Sequence, residues 1–493
     1  MIPLLLLAAC SSAPTDTGPT GDDTGPAVDD GLGDVFDLET TADGVSGEFT
    51  EPGTYIVVLF SAATEENTKY GYGEKASEAA ESAPMEPLPE DDAEPAIPVA
   101  FAAEGDHRTF EVYDGSGYTT IDAEAVKVTD ELVIWNDLTT FNPLGDIPTE
   151  TLDGVVGNFE DIVLPRTRQV FGEESDVDES GKVDVLISFT VDDYGPVAYV
   201  SWCDIGDLAG CNGHGNGGET IYMGIPDPSS DYSSANAIVE IWAHEMNHLV
   251  YAWHKYVGNT QEDAQENIYL TEGMSELAQD LTGYNNGNQY IWASAIDMRD
   301  FYGDEDFSTQ GVSINDFLRG GGGYDSKRDG PLRGGGYLFL RYLFEQAGGF
   351  TVNADGSFTD NGGIAFLHDW FDAPELGPDC VEALTGRPVE DVAFDWYTAL
   401  VLTGRDINDD PAFNYQDRVQ DPRTTFEFGV DPYAVIHGWL TLSGPPVQPL
   451  AEADGRIRAG GVEYLEVTVD AAGTVSIPVD AAALPRARAF RIQ

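Results

Sequence analysis

The segment VEIWAHEMNHLVYAWHKY, residues 239–256, contains the pattern H-E-x-x-H in His244, Glu245 and His248. A helix turns by about 100° per residue, so positions four residues apart lie on one face. Both imidazoles can therefore bind one metal ion, with Glu245 beside a water on that ion. This arrangement is typical of metal-assisted hydrolysis, in which the glutamate acts as a general base.

The residues around the motif predict that its helix is buried. Apolar side chains cover nearly every other direction of the helix, namely Ile238, Val239, Ile241, Trp242, Ala243, Met246, Leu249, Val250 and Trp253. A helix that is apolar on all sides is buried, and buried polar groups need partners. A zinc ion (Zn²⁺) would satisfy both histidines. The alternative is two core histidines with hydrogen-bond partners.

A third ligand is needed, and His254 is one candidate. It stands where the metzincin pattern H-E-x-x-H-x-x-G-x-x-H has its last histidine, but Tyr251 replaces the glycine of that pattern. A left-handed turn at a non-glycine residue is unfavourable by about 1–2 kcal/mol, so we expect the helix to continue. His254 would then lie about 9 Å beyond His248 along the helix axis, too far to share its metal ion.

A second predicted helix, NIYLTEGMSELAQDLTGY at residues 267–284, offers the other candidate. Glu272 and Glu276 lie one turn apart, opposite an apolar stripe, and periodicity alone fits a solvated acidic face equally well. However, H-E-x-x-H followed by T-E-G-x-S-E resembles the gluzincin metallopeptidases, such as the thermolysin and aminopeptidase families. That resemblance implies Glu272 as the third zinc ligand and Glu276 as a carboxylate that orients a ligating histidine.

Within that group, the chain most resembles the hyicolysin-type bacterial zinc metallopeptidases. The resemblance covers residues 125–405 and rests on SDVDESGKVDVLISFT, ETIYMGIP, IWAHEMNHLVYAW, YLTEGMSELAQDLTGY and the later RGGGYLFLRYLFEQAGG. It implies a zincin-like fold, a zinc cofactor and hydrolysis of peptide bonds. Thr271 departs from the pattern, in which asparagine often precedes the ligand glutamate.

The loop DVDESGKVD, residues 176–184, is a candidate calcium (Ca²⁺) site. Asp176, Asp178, Ser180 and Asp184 occupy positions 1, 3, 5 and 9 of an EF-hand-like loop. Ile187 occupies position 12 instead of a bidentate glutamate, so a complete EF-hand is excluded. The alternative is an Asp-rich turn before a strand.

Composition limits the classes of partner. The chain has 493 residues, of which 42% are hydrophobic, and 23 Lys+Arg against 88 Asp+Glu give a net charge of −65. Such a surface repels phosphate backbones and anionic lipid, so we expect no nucleic-acid partner. The sequence contains no stretch of 18 apolar residues, so we expect no membrane-spanning helix.

The N-terminal segment MIPLLLLAACSSAPTDTG indicates export. Its LLAAC resembles the bacterial lipobox, which predicts a signal peptide at 1–10 and a lipid anchor on Cys10 as the sole attachment to a membrane. A plain secretory signal is the alternative. Residues 11–40 are predicted to be a disordered tether. We therefore expect an exported lipoprotein of the outer membrane or cell surface, or one released extracellularly.

Two further sets of residues are left open at this level. Cys203 and Cys211 flank a loop short enough for a disulfide in an exported protein, but they could equally be small core residues beside Cys380. The candidates for a proton donor in hydrolysis are Tyr222, Tyr337, His214, His368 and His437, each of which also fits a structural role.

Strand and helix patterns predict an α+β protein. A zincin-like metallopeptidase domain with a C-terminal helical subdomain is expected over 125–425. A β-rich domain over 41–124 precedes it, and a small β domain over 426–493 follows it.

The function predicted from these patterns is that of an exported zinc endopeptidase acting on proteins or peptides, with His244, His248 and Glu272 as ligands and Glu245 as base. One alternative is a catalytically silent zincin-fold surface protein for binding or adhesion. The other is a metzincin that uses His254 as its third ligand.

Overall fold

The computed structural model describes residues 32–493, except for 66–67, 78–80, 83–101, 116, 140–148, 195–196, 207–210, 212–213, 227–233, 258–265, 297–311, 320–327 and 454. The predicted signal peptide, Cys10 and residues 11–31 of the predicted tether lie outside the described residues. The tether was predicted to extend to residue 40, but residues 35–40 belong to a strand that pairs within a sheet.

The middle of the chain, from residue 149 to residue 402, is mainly helical. They are α1 (Thr149–Asn158), α2 (Leu164–Phe171), α3 (Phe189–Tyr194), α4 (Ala235–Ala252), α5 (Ile268–Thr282), α6 (Asn288–Ile296), α7 (Ile314–Phe317), α8 (Asp329–Gln346), α9 (Gly363–Asp372), α10 (Gly377–Thr385) and α11 (Val389–Leu402). Single π-helical turns at Phe159–Val163 and Trp253–Val257 adjoin α2 and α4. Within the described ranges, none of the helices has the length and hydropathy of a membrane span.

A mixed six-stranded sheet lies beside the metal-motif helix. Its strands, in spatial order, are β10 (Ala198–Val200), β11 (Thr220–Met223), β9 (Val183–Ile187), β8 (Leu132–Asp137), β7 (Tyr118–Val128) and β6 (His107–Tyr113). β8, β9 and β11 run parallel and the outer pairs are antiparallel. β9 and β11 are short buried runs, as expected of strands covered on both faces.

A seven-stranded sheet joins the two ends of the chain. Its order is β18 (Val447–Pro449), β20 (Val462–Val469), β3 (Gly53–Ser61), β22 (Pro485–Arg491), β1 (Val35–Thr41), β2 (Gly44–Phe49) and β21 (Gly473–Pro478). The remaining strands form small sheets: β4 (Thr68–Gly71), β5 (Glu81–Ser82) and β19 (Arg456–Arg458); β12 (Phe350–Val352) with β13 (Phe358–Asp360); β14 (Val419–Gln420) with β15 (Glu427–Phe428); and β16 (Val435–Ile436) with β17 (Leu440–Thr441).

The central strand β3 connects two hydrophobic cores. Ile56, Val58 and Phe60 point into the large core that contains the helices, whereas Val57 and Leu59 point into a smaller core on the opposite face. This alternation is the two-residue period of a strand. Helices and both large sheets therefore contribute to the larger core, in keeping with the predicted α+β class.

The sheet topology differs from the predicted division into a β domain at each end. Strands from 35–61 and from 447–491 pair within a single sheet, and 107–128 pair with β8 of the six-stranded sheet. Sequence alternation identifies strands but not their partners, because pairing depends on packing between distant segments. The boundaries placed at 124 and 426 therefore do not separate independent sheets.

Glycines bring α5 and α8 into close contact. A side-chain carbon at Gly273 would lie 2.6 Å from the backbone carbon of Gly336, and one at Gly336 would lie 2.5 Å from the carbonyl oxygen of Tyr269. Gly334 of the same helix is equally close to the backbone of α6, at Ile291. Only glycine permits backbones to approach to this degree.

We expect Gly273→Ala to lower the free energy of unfolding by about 1–3 kcal/mol, because the added methyl overlaps backbone that cannot rotate away. Urea unfolding measures this change. The matched control is Gly157→Ala in α1, where no described atom lies within 4 Å of the new carbon. That variant should gain up to about 1 kcal/mol from helix propensity. Equal stability of the two variants would contradict the packing argument.

Candidate metal centre

Helix α4 presents the two motif histidines from inside the core. The side chain of Ser234 caps its first turn by accepting a hydrogen bond from the Ala237 N–H at 3.2 Å. Both motif imidazoles are largely buried, with 7% of the His244 side chain and 12% of the His248 side chain exposed. The prediction of a buried helix carrying polar groups is confirmed.

Helix α5 brings Glu272 to the histidines. The helix begins after Asn267, whose side chain accepts a hydrogen bond from the Tyr269 N–H at 2.9 Å, and it ends at Gly283 in a left-handed conformation. Its apolar face packs in the large core, while Glu272 faces α4. The predicted acidic face is therefore directed at the motif rather than at solvent.

The three side chains place their ligand atoms at spacings suited to one metal ion. His244 Nε2 lies 3.2 Å from His248 Nε2 and 3.2 Å from Glu272 Oε2, and His248 Nε2 lies 3.5 Å from Glu272 Oε1. A tetrahedral zinc ion with bonds of about 2.0–2.1 Å separates its ligand atoms by roughly 3.3–3.4 Å. The observed set thus fits zinc in composition and in spacing.

Gln279 adds a second indication of fit. Its Nε2 lies 3.2 Å from His244 Nδ1, and its buried Oε1 has no hydrogen-bond partner among the described residues. If the amide were rotated by 180°, Oε1 would accept the Nδ1 proton and leave Nε2 of His244 for a metal. Gln279 lies seven residues after Glu272, two turns along the same face of the helix. This spacing is the sequence signal that could have identified Gln279 as a residue near the metal ligands.

Charge and burial compete at the ligand atoms. Burial raises the pKa of Glu272, but the positive charges of Arg333 and His248 outweigh burial and hold that pKa well below its usual value. Burial lowers the pKa of His248, but the negative charge of Glu272 outweighs burial, and the net effect is a raised pKa. The lowered pKa keeps Glu272 ionised, as a metal ligand must be.

Glu245 is buried on the same helix. Burial raises the pKa of its carboxyl group, and the charges of His244 and His248 partly offset that rise. A carboxylate whose pKa is moved toward neutrality is better suited to accept a proton than an ordinary exposed one.

His254 lies apart from the ligand group. The chain remains helical past Tyr251, through a π-helical turn at Trp253–Val257. His254 Nδ1 lies 3.0 Å from Asp372 Oδ1, and its Nε2 lies 3.2 Å from the carbonyl oxygen of Glu173. The structure thus brings Glu272, and not His254, to the two motif histidines.

Arg333, at the start of α8, was missed by sequence reasoning. Its Nη2 donates to Glu276 Oε1 at 2.7 Å and lies 3.3 Å from Glu272 Oε2 and 3.5 Å from His244 Nε2. Glu276 had been expected to orient a histidine, but its Oε1 is 3.9 Å from His244 Nδ1. The carboxylate of Glu276 therefore holds Arg333, and Gln279 contacts the histidine instead.

The candidate calcium loop differs from its prediction. Asp184 is buried in the sheet, where it pairs with Arg108 and accepts a hydrogen bond from Trp135 Nε1 at 2.8 Å. Strand β9 begins at Val183, so the next side chain turns away from the loop.

The acidic oxygens that do converge belong to Asp176, Asp178 and Glu219, which lie within 4.8 Å of one another. Ser180 Oγ donates to the Lys182 carbonyl oxygen at 3.2 Å. Calcium binding stays a prediction, and the ligand set proposed from the sequence is not assembled.

The structure shows the contacts of the cysteines and of the candidate proton donors, whose roles the sequence did not decide. Cys203 and Cys211 form a disulfide, and Cys380 is a buried free thiol. The five candidate proton donors all contact groups outside the metal centre: Tyr222 bonds Asp204, Tyr337 bonds Asp280, His214 bonds Glu111, His368 bonds the Gln169 carbonyl oxygen, and His437 stacks on Tyr290.

Comparison with known proteins gives a partial match to a metalloprotease. Over 131 residues the chain is 28% identical to neutral metalloprotease ShpI of Staphylococcus hyicus. The match takes in 25% of this chain and 29% of the length of that protein. No protein-family profile matches the chain. Together with the His-His-Glu group, this similarity supports a relationship to metallopeptidases and no finer assignment.

Metal content distinguishes the two candidate third ligands. We expect Glu272→Ala to weaken zinc binding by more than about 100-fold. The loss of a direct ligand weakens metal binding more than the loss of a residue that only hydrogen-bonds a ligand. His254→Ala should keep one zinc ion per chain, since the contacts that it loses, to Asp372, Glu173 and the Phe371 ring, lie away from the ligand group. Mass spectrometry of the purified variants measures both. Zinc lost from the His254 variant and retained by the Glu272 variant would reverse the assignment.

Proposed function

We propose that this protein is an exported zinc-dependent endopeptidase of the hyicolysin type that hydrolyses peptide bonds in proteins. The observation that carries the proposal is the spacing of 3.2–3.5 Å among the ligand atoms of His244, His248 and Glu272. Glu245 follows directly after the first of these ligands, as the chemistry requires. The partial similarity to a neutral metalloprotease supports the same reaction class.

His244, His248 and Glu272 would hold the metal, which when bound supplies a Lewis acid and lowers the pKa of water. Glu245 removes a proton from the attacking water as the water oxygen bonds to the scissile carbonyl carbon. The C=O electron pair moves to the carbonyl oxygen. When that pair returns, the C–N bond breaks, and Glu245 gives its proton to the leaving nitrogen.

Glu245→Gln should retain zinc and reduce cleavage of fluorescent casein to below about 1% of the unmodified protein, because an amide cannot accept the proton. A chelator should abolish cleavage by the unmodified protein, and added zinc should restore it. Activity of the Gln variant above a few per cent would remove Glu245 as the base.

A matched control lies one turn earlier on α4. Burial raises the pKa of Glu240 to about 8, so this carboxyl group is largely protonated at neutral pH. Its Oε1 accepts hydrogen bonds from the Gly287 and Asn288 N–H groups at 2.7 and 3.0 Å, and a glutamine oxygen can accept both. Glu240→Gln should therefore keep zinc and most of the activity.

The proposed location is the outer membrane or cell surface, through a lipid on Cys10. The LLAAC segment supports this proposal, as does the Cys203–Cys211 disulfide, which is typical of oxidising compartments. Cys10→Ser should move the protein from the membrane fraction to the soluble exported fraction, as followed by immunoblot. Unchanged fractionation of this variant would argue against the anchor.

A further inference from the structure

The metal centre is open to solvent on one side. Side-chain exposure is 7% for His244 and 12% for His248, and it rises to 21% for Glu272, 24% for Arg333 and 25% for Asp329. The buried side belongs to α4. The most exposed of these side chains, Arg333 and Asp329, lie at the start of α8.

Arg333 borders the ligand group itself. Its Nη2 lies 3.3 Å from Glu272 Oε2 and 3.5 Å from His244 Nε2. A cationic hydrogen-bond donor therefore lies next to two of the three ligand atoms.

Two carboxylates contact the guanidinium of Arg333, and some of its N–H donors remain unused. Buried Glu276 accepts from Nη2 at 2.7 Å, and Asp329 Oδ2 lies 3.5 Å from Nη1. The buried Nε has no hydrogen-bond partner among the described residues. A guanidinium carries five N–H groups, and these contacts do not use all of them. Close packing of α8 on α5 fixes the start of the side chain, so the donor is positioned before any substrate arrives.

Hydrolysis of an amide needs a donor for the oxygen that becomes negative. The five tyrosines and histidines considered from the sequence all contact other groups. We propose that Arg333 fills this role: it hydrogen-bonds the scissile carbonyl oxygen and stabilises the negative charge that oxygen gains when water adds to the carbon. This role rests on the proposed peptidase function, and it makes Glu276 and Asp329 the residues that position Arg333.

Two zinc-binding peptides separate this role from a general effect on the metal. A phosphinic peptide places a negative tetrahedral oxygen where the carbonyl oxygen would be in the transition state. A thiol peptide with the same flanking side chains ligates zinc through sulfur and places no oxygen there. Calorimetry on zinc-loaded Arg333→Met should show about 100-fold weaker binding of the phosphinic peptide and less than about fivefold weaker binding of the thiol. Zinc content should remain one per chain.

Each other outcome overturns the proposal. Loss of zinc would mean that Arg333 only holds the ligand Glu272. Equal weakening of both peptides would indicate general damage to the site, and unchanged binding of both would mean that Arg333 does not contact the oxygen. If the Met variant fails to fold, Arg333→Gln is measured in its place, since its amide can still donate to Glu276.

The control variant is Arg328→Met. Arg328 lies five residues before Arg333 and pairs with Asp316 at 2.8 Å. Among the described residues, it contacts none of the metal centre. It should bind both peptides as the unmodified protein does. If the unmodified protein binds neither peptide and cleaves no casein, the proposed peptidase function itself fails, which is distinct from failure of the Arg333 role.

Discussion

The close approach of α5 and α8 determines where the charged groups of the metal centre lie. Gly273 and Gly336 leave their backbones within van der Waals contact. Glu272 directly precedes the first of these glycines, and Arg333 lies three residues before the second. Backbone packing therefore fixes where these two side chains begin, and their charged ends lie 3.3 Å apart. Added separation would remove this contact and leave Glu272 with the two histidines and Arg333 with Glu276 and Asp329 as their charged partners.

The same core contains carboxyl groups in different protonation states, and their surroundings set the difference. Glu240 has no positive partner among the residues that the structure describes, so burial raises its pKa to about 8 and it is mainly neutral. Glu272 faces Arg333 and His248, and its pKa lies well below the usual value although burial by itself would raise it. α4 and α5 thus supply one neutral carboxyl that caps α6 and one ionised carboxylate for a metal. Residue type is the same in both, and position decides the chemistry.

The sequence predicted what depends on local spacing and missed what depends on distant packing. His244, His248 and the helix that carries Glu272 could be placed because helical periodicity fixes which residues share a face. The exclusion of His254 followed from Tyr251, where a turn required glycine. By contrast, Arg333 is 57 residues from its partner Glu276 along the chain, and nothing in its local sequence indicates that partner.

The pairing of strands from the two ends of the chain was missed for the same reason, and so was the pairing of Asp184 with Arg108.

The charge balance of the centre accounts for an arginine beside a cation site. A bound divalent ion and Arg333 would together bring three formal positive charges. Glu245, Glu272, Glu276 and Asp329 bring four negative ones, which leaves the group close to neutral at −1. If Arg333 were absent, the group would stand at −2 in a core that stabilises charge poorly. The arginine therefore completes the neutralisation that a divalent ion begins. Because the Arg333 side chain is 24% exposed, its remaining N–H donors can still meet a substrate oxygen in the role proposed above.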